Sequence, residues 1–223
     1  MAKGKKVKGK KGKKGKKKGP PPSHDKGWDK AINNGRWERP LEALPDPAAH
    51  SSFVELREKI FSALEQLSIF WTDAVTVNEF FQDLFKVSRD KLVKVELRGA
   101  RYLKKVILSP PTLAPHLKIL DLSCCEWLEY VLLHMINLER LSLHQCPSLK
   151  KAILHTKQLK EIDLLKCNKL SVVVLWSDEL TELALPTLDF KTVELHCPKL
   201  GKVNYIKDDP PPKEQEAINE ASS

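Results

Sequence analysis

A leucine returns to the same place every 21 residues: Leu117, Leu138, Leu159 and Leu180 each open a new copy of one pattern. A unit that short cannot bury a core of its own, so it has to bury its apolar residues against the next unit. That is the signature of a solenoid. Within one unit, Leu138, Leu141 and Leu143 make L-x-x-L-x-L, and Leu149, Ala152 and Leu154 repeat the spacing eleven residues later. Leu117/Leu120/Leu122 with Leu128/Val131/Leu133, and Leu159/Ile162/Leu164 with Leu170/Val173/Leu175, do the same. The alternation that ends each group has the period of a strand. Four or five residues separate successive groups, too few for a return helix. Each turn is therefore expected to hold two short strands joined by tight corners.

Cys125, Cys146 and Cys167 occupy one position in successive units, and Leu188 takes it in the next. A small thiol can be buried at a corner and offer its weak S–H donor to a backbone carbonyl. One cysteine per turn does not converge on a metal, which needs several ligands at one point. The pattern L-x-x-L-x-L-x-x-C-x-x-L resembles the cysteine-containing leucine-rich repeats of F-box proteins, in the compact form whose return side is also extended. The resemblance covers residues 92–206 and implies a leucine-rich repeat solenoid. It implies architecture far more than activity.

The pattern extends both ways. Upstream, Leu92/Val95/Leu97 and Leu103/Val106/Leu108 form a turn with Ala100 in the cysteine position and an insertion around Ser109–Pro115. Downstream come Leu180/Leu183/Leu185, a shortened Phe190/Val193/Leu195, and Leu200/Val203/Tyr205, which makes about six rungs. A stack this short needs capped ends. Ser52 and Glu55 fit a capping box, after which Phe53, Leu56, Ile60, Leu64 and Leu67 fall at helical spacing. Thr76 and Glu79 fit a second box before Phe80, Phe81, Leu84 and Phe85. The predicted organisation is a disordered basic tail (1–22), an extended arm (23–50), a helical cap (51–90), the repeat domain (91–206) and a flexible acidic tail (207–223). The stretch EKIFSALEQL also resembles the first helix of an F-box, which would make the cap a contact for a ubiquitin-ligase adaptor.

The net charge of +9 belongs to one appendage. Residues 1–18 hold eleven lysines and no acid, and subtracting them from +9 leaves −2 for the rest. Lys5, Lys6, Lys10, Lys11, Lys13, Lys14, Lys16, Lys17 and Lys18 sit in a Gly/Lys run with no apolar face, so the segment cannot fold alone. Lysine without arginine or aromatics favours diffuse attraction to a polyanion over recognition of a particular base. Acidic tubulin tails, nucleic acid and anionic membrane all fit that description. The Lys/Gly N-terminus resembles those of ciliary axoneme proteins, which implies a microtubule setting. No stretch has the apolar core of a signal peptide or the length of a membrane span, and the cysteines suit a reducing compartment. The chain is accordingly expected in the cytoplasm at the cytoskeleton or cilium, with the nucleus as the alternative.

On the return strands, the residues between inward leucines are Ile107, Leu132, Ile153 and Val174, followed by Glu194. Two residues further on stand Ser109, His134, His155, Trp176 and His196. An outward apolar stripe beside a column of rings should not face water. Either the arm carrying Trp28 and Trp37 covers it, or a partner protein does. Zinc on His134 and His155 would lack further ligands, so no metal or cofactor is expected. There is no phosphate-binding glycine loop, H-E-x-x-H or G-x-S-x-G, so no enzyme is predicted. The leading expectation is a non-enzymatic scaffold within a larger assembly. The alternatives are a ubiquitin-ligase substrate receptor and an RNA- or chromatin-associated factor.

Overall fold

In the computed structural model, residues 25–39, 43–46, 49, 52–70, 84–87, 91–109 and 114–207 are described. From the N-terminal side come helix α1 (Lys26–Asn34), strand β1 (Arg36–Trp37), helix α2 (Ser52–Ala63) and strand β2 (Gln66–Phe70). Beyond them the chain winds between two sheets. β3 (Lys94–Arg98), β5 (Ile119–Asp121), β7 (Arg140–Ser142), β9 (Glu161–Asp163), β11 (Glu182–Pro186) and β13 (Lys202–Ile206) lie on one side. β4 (Lys105–Leu108), β6 (Tyr130–His134), β8 (Lys151–His155), β10 (Val172–Trp176) and β12 (Thr192–His196) lie on the other. β1 and β2 extend the first sheet to eight strands, while the second has five. The result is a parallel β-solenoid of five two-stranded turns, β3/β4 to β11/β12, closed by β13.

Repetition of sequence becomes repetition of register. Leu120, Leu141 and Ile162 are partners across β5, β7 and β9. Val131, Ala152, Val173 and Val193 are partners across β6, β8, β10 and β12. Leu97, Leu122, Leu143, Leu164 and Leu185 are fully buried on one side, and Leu133, Leu154 and Leu175 face them from the other. Each leucine buried this way contributes about 1.5–3 kcal/mol of apolar transfer. A slip of one residue would turn the whole set outward, so the register is strongly specified.

The corners explain the cysteines. Cys124, Gln145 and Lys166 adopt left-handed backbone with φ of 60°, 57° and 59°, as Gly99 does at 65° in the first turn. The cysteine that follows each sharp corner turns inward. Sγ of Cys125, Cys146 and Cys167 donates to the carbonyls of Leu97, Leu122 and Leu143, one turn back, at 3.4, 3.3 and 3.1 Å. Each thiol thus fills space and satisfies a corner carbonyl. Cys125 beside Cys146, together with burial, holds the Cys146 thiol far above its usual range.

The N-terminal end departs from expectation. Residues 23–50 were expected as an extended arm, yet they contain α1 and β1. Asp25 caps α1 by accepting from Gly27 N at 2.6 Å, and Gly35 ends it in the left-handed region at φ 66°. A Cβ at Gly35 would stand 2.9 Å from the Ala63 carbonyl, so helix end and close approach both call for glycine. Trp28 and Trp37, expected among the partner-contacting residues, are instead held inside. Trp37 is 1% exposed, and Trp28 meets Phe53 edge-on with ring centres 5.3 Å apart.

The first cap helix is also shorter than its spacing suggests. α2 stops at Ala63, and Leu67 lies in β2, paired with Val95 of β3. Leu64, Leu67 and Ile69 are another L-x-x-L-x-L group, and the backbone partner that β2 finds in β3 overrides the helical spacing. Residues 84–87 form a helical turn with Leu84 and Phe85 buried, while the second capping box at Thr76–Glu79 lies outside the described residues. So do the Lys/Gly run, the residues 110–113 of the insertion, and the C-terminal segment from residue 208.

Candidate functional site

The five-stranded sheet carries the least ordinary surface of the molecule. Strand alternation puts Ile107, Leu132, Ile153, Val174 and Glu194 on its outer face, and parallel register sets them side by side. Ile107 is 43% exposed, Leu132 and Ile153 are half-buried, and Val174 is 9% exposed. The stripe therefore opens toward the first turn. β1, the strand formed by the supposed arm, joins the opposite sheet, so Trp28 and Trp37 do not cover the stripe.

Beside it the rings form a stack. His134 and His155 lie 5.7 Å apart at 52°. His155 and Trp176 stack at 3.9 Å and 18°, and Trp176 and His196 at 4.7 Å and 6°. The parallel ladder, with its strand spacing of about 4.8 Å, holds flat rings one above the next at the separation stacking requires. Burial in the stack, then the neighbouring His134 and His196, hold the His155 imidazole below its ordinary protonation range. His155 is thereby biased toward its uncharged form. On the stripe's other flank, Lys105, Tyr130, Lys150, Lys151 and Glu129 line an open groove with Ile107, and Lys150 pairs with Glu129 at 3.3 Å.

The eight-stranded sheet offers a different face. Three of its acidic residues, Glu96, Asp121 and Asp163, are engaged within the fold. Asp121 is only 7% exposed; its Oδ2 accepts from Arg98 Nε at 2.7 Å and its Oδ1 from Ser123 N at 2.9 Å. Glu96 accepts from Ser68 Oγ at 2.7 Å and pairs with Lys94 at 2.9 Å. Asp163 accepts from Leu165 N at 3.0 Å and meets His144 Nδ1 at 3.2 Å. These carboxylates fix corners and neighbouring rungs.

One exposed cluster escaped the sequence reading. Tyr102 and Trp127 lie 6.3 Å apart at one corner column, 43% and 49% exposed, with Lys104 Nζ 5.6 Å from the Trp127 ring centre. The signal was present, since both residues directly precede the leucine that opens a second group, Leu103 and Leu128. Among the described residues, no three His, Cys, Asp or Glu side chains gather closely enough to hold a metal ion. Among the same residues, no helix is long and apolar enough to cross a membrane. Chemically, the described surface offers an aliphatic stripe, a stack of rings, and a lysine-flanked groove.

No family model matches the chain. Over 115 residues it is 38% identical to Dynein regulatory complex subunit 6 of Chlamydomonas reinhardtii, across 52% of this chain and 44% of that protein. The chain thus spans less than half the length of the curated relative it matches.

Proposed function

We propose that this chain is a non-enzymatic docking piece of a dynein regulatory assembly in the ciliary axoneme, built on a compact, cysteine-containing leucine-rich repeat. The observation that carries the proposal is the 38% identity to Dynein regulatory complex subunit 6. The return face supports it: Ile107, Leu132 and Ile153, with the His134–His155–Trp176–His196 stack, make an apolar and aromatic surface fitted to another protein. The lysines of residues 1–18 then act as an electrostatic tether, with the acidic tails of tubulin as the polyanion.

Tagged full-length chain expressed in motile-ciliated cells provides the test. It is expected to fractionate with isolated axonemes and to co-purify with dynein regulatory complex subunits. Ile153→Asp should release it into the soluble pool, while Glu161→Ala on the opposite sheet should not. Melting curves of both purified variants separate lost docking from lost folding. Absence of the parent chain from axonemes, or wild-type retention of a folded Ile153→Asp, would refute the proposal. Deleting residues 1–18 should weaken retention most at low ionic strength, where such attraction is least screened.

A further inference from the structure

The two ends of the solenoid are finished differently. At the N-terminal end, α1 and α2 bury Trp28, Ala31, Phe53, Leu56, Ile60 and Phe61. At the C-terminal end, β12 and β13 are the outermost strands of their sheets among the described residues. Positions that are sealed in earlier turns stand partly open there. Leu154 and Leu175 are fully buried, but Leu195, which continues their column, is half-buried. Leu164 and Leu185 are fully buried, but Tyr205 after them is 58% exposed. Phe190, Val193, Leu200 and Val203 are likewise only partly covered. An apolar-backed edge of this kind is a template for one more strand in each sheet.

Glu194 says what that strand should carry. It takes the place held by Ile107, Leu132, Ile153 and Val174, and its partner one turn back is Val174, which offers no charge. Several charges elsewhere in this stack pair from one turn to the next: Lys118 with Glu139 at 3.0 Å, Arg140 with Glu161 at 3.2 Å, Lys199 with Glu179 at 2.7 Å. Glu194 makes no ion pair among the described residues, and the position that would supply one lies in the turn beyond. We propose that the C-terminal end accepts a further two-stranded turn from another protein, with apolar residues facing inward and a lysine or arginine opposite Glu194. This edge adjoins the return face, since β12 belongs to the same sheet, but the inference does not rest on the proposed axonemal role.

Two other occupants fit less well. A second copy joined end to end by two-fold symmetry about the middle of β12 would set Glu194 against Glu194, a like-charge pair that destabilises a sheet. The chain's own residues 208–223 offer five acids against one lysine, and Pro210–Pro212 bring no N–H donors to a ladder.

The test uses full-length protein and two synthetic peptides of residues 180–206, one with Glu194→Lys and one unaltered. Continuing the register places peptide position 194 beside Glu194 of the chain. The Lys peptide should bind more tightly than its counterpart, by about fivefold, and should slow hydrogen exchange at β12 and β13. Glu194→Lys in the chain should reverse the preference. Glu194→Val should make the chain dimerise in sedimentation at concentrations where the parent is monomeric. Binding of neither peptide with a monomeric Glu194→Val, or equal binding of both, overturns the proposal. So does slow exchange of both strands in the free parent, which assigns the edge to its own tail if independent of concentration and to a second copy if dependent on it.

Discussion

The imidazole of His155 lies 3.9 Å from the indole of Trp176 and nearly parallel to it, on strands that are neighbours only because the chain has wound once around the solenoid. Stacking removes water from one face of the imidazole, and His134 and His196 crowd the same column. All three influences disfavour the charged form.

His155 should therefore titrate below the ordinary 6.5 in the folded chain. The unfolded chain then takes up this proton first as pH falls. The associated stability is complete above the unfolded value and is lost as pH drops through the folded one. Histidine Cε1–H shifts followed by NMR check this, and His134→Asn with His196→Asn should move the His155 midpoint upward. An unmoved midpoint would leave desolvation as the sole cause.

Thiol reactivity should follow the corners. Cys125, Cys146 and Cys167 are buried and directed at carbonyls, whereas Cys124 and Cys197 are partly accessible. Burial also pushes the Cys197 thiol up. Ellman's reagent at about pH 8, where an ordinary accessible thiol is partly ionised, should modify Cys124 first and Cys197 more slowly. The three inward cysteines should react only in urea. Rapid modification of all five in native protein would contradict the buried ladder.

Two tryptophans give opposite expectations. Trp37 is 1% exposed and Trp127 is 49% exposed. Trp37→Ala should cost about 3–5 kcal/mol by loss of buried surface and creation of a cavity. Trp127→Ala should stay within about 0.5 kcal/mol. Urea unfolding of the two variants tests the contrast directly.

Gly35→Ala should destabilise by about 1–2 kcal/mol. The left-handed φ of 66° and the nearby Ala63 carbonyl act together, and Gly35 O also accepts from Glu65 N and Gln66 N at 2.7 and 3.0 Å. Thermal melting of this variant against an exposed-site alanine control measures the effect.

The middle of the fold was legible because Leu117, Leu138, Leu159 and Leu180 repeat without interruption, and parallel pairing leaves such a period one arrangement. The start was not. Leu64 lies 28 residues before Leu92 rather than 21, and Leu64 and Leu67 continue the helical spacing of Leu56 and Ile60 while also opening the Leu64/Leu67/Ile69 group. Only the backbone partner supplied by β3 decides between them. α1 has just Trp28, Ala31 and Ile32 as apolar residues, so its capping residues Asp25 and Gly35 were the stronger signal. On the return face the columns could be read, because alternation assigns sides. The stacking distances could not, since they depend on side-chain torsions that spacing leaves free.

The in-register winding also makes this molecule a ruler. Each turn adds one strand spacing, about 4.8 Å, between whatever grips the N-terminal helices and whatever meets the far edge. Excising residues 138–158 would join Asn137 to Leu159 and leave every later residue on its original side. Such a deletion changes the length in one fixed increment, so distance within an assembly can be set by counting turns.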